Sequence, residues 1–274
     1  MKSKLLILFL IIVTVIVFFV LKDEFFLNLS QLDEEVGNLI KETEKKVFTP
    51  SPLIHIQEGP ISHLDKDEII RQTNIQREKY GVDPLRENNL LDLSAGVKAE
   101  DMFLNQYFEH ESLSGKNVSD LANRAGYEFI VLGENLAMGN FKDEEALVQA
   151  WMDSPGHREN LLKTGFSEIG VAVLKGDFEG EEVWIAVQHF ALPLDNCPKP
   201  TESIKALIAF NQRKIEDIEK TLNSMKDNLK TRKEINQYNS LVKEHNDLVE
   251  KNESLIEKYN NQINIFNECL KSSA

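Results

Sequence analysis

From Thr201 to Ala274 the chain contains neither glycine nor proline. Without either breaker, helix is the conformation such a stretch sustains. Ile204, Ile208, Asn211, Ile215, Ile218, Leu222, Met225 and Leu229 step by four and three. Ile235, Tyr238, Val242, His245, Val249, Asn252, Ile256, Tyr259, Ile263, Phe266 and Leu270 form a second row. Both rows are heptad seams, so residues 201–271 are expected to form a coiled coil, with Asn211, His245 and Asn252 weakening the seam and setting register. The phase slips between Leu229 and Ile235. One helix of roughly 100 Å with a stammer satisfies this pattern, and so does an antiparallel hairpin. The reading leans to the hairpin, because two comparable seams can cover each other. A single long helix would instead join a protein partner or a second copy of the chain.

The other end is constrained as strongly. Leu5 to Leu21 is apolar except for Thr14, with Lys2 and Lys4 before it and Lys22-Asp23-Glu24 after it. As a helix it spans roughly 26 Å, close to a hydrocarbon core once Phe25-Phe26-Leu27 is added. No small-residue cleavage site follows, so residues 1–27 read as an uncleaved single-pass anchor rather than a signal peptide. The basic flank leaves the N-terminus cytoplasmic and the bulk of the chain extracytoplasmic. Residues 28–65 read as an amphipathic helix, Asn28 to Phe48, followed by a linker broken by Pro50, Pro52, Gly59 and Pro60. His55 and His63 fall there and read as solvated.

A domain of α+β type is expected over residues 66–194. Asp65 or Asp67 is placed to cap a helix ended by Gly81, and Asn88 or Asn89 to open a second. Shorter helices follow around Ser119 to Ala125 and from Asp143 to Trp151, then a helical turn from His157 to Leu162. Ile169, Val171 and Val173 alternate with smaller residues, and Val183 to Leu192 alternates again. With the polar loop Lys175 to Glu182 between them, these are a hairpin on which the helices pack. Trp184, Ala186, Gln188 and Phe190 share one face; Val183, Ile185, Val187 and His189 share the other. Formal net charge is −14, which argues against nucleic acid as a partner, since phosphate binding needs a basic face. Cys197 and Cys269 form no CxxC pair, which disfavours a structural zinc site. A disulfide between them requires the C-terminal helix to fold back; free or intermolecular thiols satisfy the sequence equally.

The chemistry-bearing residues cluster between Phe108 and Asn160. They are Phe108-Glu109-His110, Gly133-Glu134-Asn135 and Trp151-Met152-Asp153-Ser154-Pro155-Gly156-His157-Arg158-Glu159-Asn160. With Asn74, Arg77, Tyr80-Gly81 and Pro84-Leu85 upstream, and Glu168-Ile169-Gly170-Val171, Gln188 and Phe190 downstream, this stretch resembles the CAP superfamily. That superfamily comprises cysteine-rich secretory, antigen 5 and pathogenesis-related proteins, and the resemblance is to its prokaryotic SCP-like extracellular branch. It covers about 66 to 192 and implies an α-β-α sandwich with an open cleft of histidines and carboxylates, which in some members holds a divalent metal. His110 matches the first histidine and Glu134 the glutamate of the Gly-Glu-Asn motif. Ile185 stands where eukaryotic members carry the second histidine, so the Gly-His-Arg motif makes His157 the candidate. Asp153, one turn earlier, is the candidate second carboxylate.

Two imidazoles and one or two carboxylates suit zinc or calcium, and the same groups suit acid–base work. No nucleophile elbow is present in the sequence. Arg158 and Asn160 read as loop ties, Trp151 as core, and His189 as a strand residue outside the cleft. The reading is therefore a membrane-anchored extracytoplasmic binding protein. The alternative is a metal-assisted hydrolase acting on peptide, lipid or cell-envelope material.

Overall fold

The computed structural model describes residues 47–55 and 63–273. The anchor read at 1–27 and most of the helix read at 28–48 lie outside them. Among the described residues no helix is long and apolar enough to cross a membrane.

Six strands form one mixed sheet: β1 (Val47–Phe48), β2 (Leu53–His55), β3 (Arg86–Glu87), β4 (Phe129–Gly139), β5 (Glu168–Phe178) and β6 (Glu181–Pro193). The order is β1-β4-β6-β5-β3, with β2 also on β4. β6 runs antiparallel to both β4 and β5; β1 and β2 run parallel to β4, and β3 runs parallel to β5. Five helices flank the sheet: α1 (Lys66–Lys79), α2 (Asn89–Asn105), α3 (Val118–Arg124), α4 (Glu144–Asp153) and α5 (Pro155–Leu162).

The caps anticipated from sequence form. The Asp65 carboxylate accepts the Asp67 and Glu68 amides, Asn88 accepts the Leu90 amide, and Asp143 accepts the Ala146 amide. Neighbouring residues on β6 reach opposite layers, as strand alternation requires. Gln188 bonds Thr73 of α1 at 2.8 Å, and His189 bonds Ser94 of α2 at 2.7 Å. The result is an α-β-α arrangement. On the α2 face, Ala95, Ala99 and Met102 pack on Leu136, Ala172, Ile185 and Val187.

Four expectations change. Residues 47–48 and 53–55, read as helix end and linker, are strands, because the outer edge of β4 offers its backbone to them. His55, read as solvated, stacks on Phe141 with centroids 5.1 Å apart, whereas His63 is exposed and edge-on to Trp184 at 6.1 Å. The strand β4 is absent from the sequence reading altogether. It is buried along almost its whole length, so it lacks the alternation that marks a one-sided strand. The polar loop at 175–182 shrinks to a two-residue turn at Glu179 and Gly180, whose φ of 52° and 89° suit a tight hairpin.

Residues 197–269 form a separate compact unit. Helix α6 (Glu202–Met225) leads through a short 3-10 turn, Lys226–Asn228, into α7 (Arg232–Ser273). The paired residues run in opposite directions along the two helices. Cys197 is disulfide-bonded to Cys269, the Thr201 amide bonds Gln262 at 3.0 Å, and Glu219 meets His245 at 3.3 Å. The tail is thus an antiparallel helical hairpin, turning where the heptad phase slips. The turn needs no glycine, because the Glu234 carboxylate accepts the Lys230 and Thr231 amides and Thr231 Oγ1 accepts the Glu234 amide, a capping box for α7.

The disulfide closes a separation of 72 residues, for which loop-closure entropy assigns about 4 kcal/mol. Reduction, or Cys197→Ser, is expected to lower the melting midpoint of the hairpin markedly in circular dichroism. An unchanged melt under reductant would show that the helix seam alone holds the unit.

Candidate functional site

The site assembles on β4. Register sets Glu134 directly opposite His189 of β6, so both project to the α2 face. The Glu134 side chain is fully buried, and both its oxygens are engaged. Oε1 accepts from His110 Nδ1 at 2.6 Å and Oε2 from His189 Nε2 at 2.8 Å. Burial pushes this carboxyl up, but hydrogen bonds and charge from the two histidines outweigh it and hold the pKa at about 2. Glu134 is therefore a carboxylate, and both facing ring nitrogens carry protons. His189 extends the chain of contacts to Ser94 Oγ at 2.7 Å.

His110 sits in the loop after α2, which leaves its helix through Gln106 at φ 51°. The His110 carbonyl accepts from Lys98 Nζ at 2.8 Å. Lys98 is buried in α2; burial lowers its pKa, while the carboxylates of Glu134, Asp101 and Glu109 pull it back up. The outer nitrogen of His110, Nε2, meets the Pro50 carbonyl.

His157 lies on α5, buried, with Nδ1 on Ser154 Oγ at 2.8 Å. Burial pushes its pKa down to about 4, with the charge of His110 acting in the same direction. It makes no hydrogen bond to Glu134. Asp153 is exposed at the end of α4 and accepts from Gln149 at 2.8 Å, away from this network. Asn160 is the tie its position suggested. Its amide nitrogen reaches Asn135 Oδ1 at 3.0 Å, the Glu134 carbonyl at 3.3 Å and the Phe48 carbonyl at 3.0 Å.

Of the four candidates, then, His110 and Glu134 are hydrogen-bonded together, His157 stands beside them, and Asp153 is outside. The residues missed are His189, Ser94 and Lys98. His189 was assigned to the correct strand face, but pairing it with Glu134 required knowing that β4 exists. Among the described residues, no group of three or more His, Cys, Asp or Glu side chains is gathered in a way that would hold a metal ion. The donor chemistry explains this. Both Glu134 oxygens, both nitrogens of His110 and both of His189 are already hydrogen-bonded, so a zinc or calcium ion here would have to displace those bonds, while His157 Nε2 is buried with no hydrogen-bond partner.

Residues 70–190 match the cysteine-rich secretory protein family (CAP). The chain is 37% identical to YkwD of Bacillus subtilis over 117 residues, which are 43% of this chain and 44% of YkwD. It is 33% identical over 113 residues, 41% of this chain, to a B. subtilis protein named as the membrane protein YlbC, of which 32% is covered. It spans less than half the length of either relative. A solved extracellular SCP-domain protein from Bacillus anthracis aligns over 46% of this chain and 40% of its own, at 30% identity and a TM-score of 0.41. An outer surface protein from Borrelia burgdorferi aligns over 46% and 91%, at 23% identity and the same score. Residues 70–190 therefore form a match to the CAP domain, and the relatives they resemble are bacterial.

Proposed function

We propose that this chain is a membrane-anchored, extracytoplasmic binding protein whose CAP domain offers the cleft around Glu134 to a ligand. The observation that carries the reading is the state of Glu134. A carboxylate held at about 2, with both oxygens occupied by imidazoles, is a poor general base at neutral pH, because an efficient base titrates near the working pH. Its geometry suits holding His110 and His189 in fixed orientation. A zinc or calcium ion, which the resemblance implies, would first have to displace those hydrogen bonds. The apolar segment at 5–21 supports the anchor, and the Cys197–Cys269 disulfide supports an oxidising compartment outside the cytoplasm.

Two measurements test the reading together. The full chain should fractionate with membranes and be digested by protease added to intact cells, while a chain lacking residues 1–27 should be released. The purified full chain should take up neither zinc nor calcium stoichiometrically by calorimetry and should show no turnover on peptide, ester and cell-wall substrates. Turnover abolished by Glu134→Gln would overturn the binding reading in favour of the hydrolase.

A further inference from the structure

Residues 47–55 lie along the cleft as a ligand would. They run parallel to β4, with Val47 opposite Leu132, Phe48 opposite Gly133, and Leu53 to His55 opposite Ala137 to Gly139. Each anchoring point is met by a specific feature of the domain. The Phe48 ring stands edge-on to Phe166 at 6.3 Å and beneath the Lys163 ammonium at 3.9 Å, and its carbonyl accepts from Asn160. The Pro50 carbonyl sits on His110 Nε2, and its ring fits against Gly156, where any Cβ would come within 2.7 Å of Pro50 Cβ. At the far end His55 stacks on Phe141, and its carbonyl passes Gly139 so closely that a Cβ there would lie 1.7 Å away.

Val47 packs against the core cluster that includes Phe129 and Leu132, but the segment as a whole stays at the surface. Thr49 and Ser51 are exposed, Ile54 is 61% exposed, and none of the nine residues is fully buried. The segment, Val-Phe-Thr-Pro-Ser-Pro-Leu-Ile-His, carries no Asp, Glu, Lys or Arg. Adding a strand to a free sheet edge is a general mode of peptide capture, in which main-chain bonds supply affinity and side-chain pockets supply specificity.

We propose that the outer edge of β4, with His110, Gly156 and Asn160, is a binding site for an extended, uncharged peptide carrying an aromatic residue two positions before a proline, and that residues 47–55 fill it in cis. The proposal rests on the binding reading above and names the ligand class. The proline carbonyl of an incoming peptide takes the place of the Pro50 carbonyl on His110. Gly139 and Gly156 keep the channel wide enough for its backbone. A tethered cis segment competes at an effective concentration of about 1 mM, so the intact chain answers only to a peptide that displaces it.

The test uses the full chain with residues 47–55 replaced by a Gly-Ser stretch of equal length, and a fluorescent peptide of the native nine-residue sequence read by anisotropy. The replaced chain should bind the peptide about 100-fold more tightly than wild type, as the removal of a cis competitor predicts. Adding His110→Ala or Gly156→Val to the replaced chain should weaken binding at least about tenfold. A replaced chain with native circular dichroism that ignores the peptide overturns the proposal and leaves the binding-protein reading intact. Cleavage of the peptide, abolished by Glu134→Gln, overturns both. Should the replaced chain fail to fold, hydrogen exchange on the wild type decides. Amides of 47–55 should exchange by local opening, at least about 100-fold faster than those of the β4–β6 ladder. Exchange of both segments only through global unfolding makes 47–55 an integral strand and overturns the proposal.

Discussion

Gly170→Ala is expected to destabilise the CAP domain by about 3 kcal/mol or more, at the upper end of what overpacking costs. At Gly170 the strand β5 touches the backbone of α2. A Cβ there would lie 2.1 Å from the Leu91 carbonyl carbon and 2.3 Å from the Asp92 nitrogen. Both are main-chain atoms, so no side-chain rotation relieves the clash; the helix itself must move. That helix contributes Ala95, Ala99 and Met102 to the core and Ser94 and Lys98 to the site. Against a total stability typically of about 5–15 kcal/mol, such a loss is large. Urea denaturation of the variant measures it, and a change below about 1 kcal/mol would show that α2 can lift from β5 without penalty.

The second large effect is at Glu134. Glu134→Ala leaves the buried His189 and the half-buried His110 facing a void in place of their shared acceptor, and removing one partner of a buried ionic group costs about 3–5 kcal/mol. The acid limb of the stability curve should change as well. The folded pKa of Glu134, about 2, lies below its ordinary 4.5. Its contribution is therefore present above pH 4.5 and is lost as pH falls toward 2. His157 acts in a higher window. Its folded pKa of about 4 lies below its ordinary 6.5, so the unfolded chain takes up a proton that the folded one refuses, and stability declines as pH drops from 6.5 to about 4. Glu134→Gln should lose the lower limb and keep the upper. A variant whose profile matches wild type below pH 4.5 would show that Glu134 is not held as an ionised acceptor.

The elements legible in the sequence were those whose signal is local. Asp65, Asn88 and Asp143 announced helix starts because a capping carboxylate or amide acts within three residues of itself. The β5–β6 hairpin was visible in its alternation, and the hairpin tail in two heptad rows and a phase slip. The motifs around His110 and Glu134 were recognisable as short contiguous strings. Asp153 was misplaced for the complementary reason. One helical turn from His157 in sequence, it lies at the exposed end of α4, and the break at Ser154-Pro155 points the two side chains differently.

What only the tertiary structure decided was the set of contacts between distant residues. β4 is covered on both faces, so it showed no alternation, and without it neither the Glu134–His189 pair nor the free edge that receives residues 47–55 could be anticipated. Residues 47–48 read as a helix end and 49–55 as a linker, because the prolines and polar positions have no partner nearby in sequence. They become strands only where a neighbouring backbone presents unpaired groups. The sequence by itself determined the capped helix starts, the β5–β6 hairpin and the CAP motifs, all set by interactions within a few residues. The tertiary structure decided that Glu134 is saturated by two histidines and that a segment of the chain already lies across it. Strand register, and the approach it allows at Gly139 and Gly156, is a property of pairs of segments and belongs to neither alone.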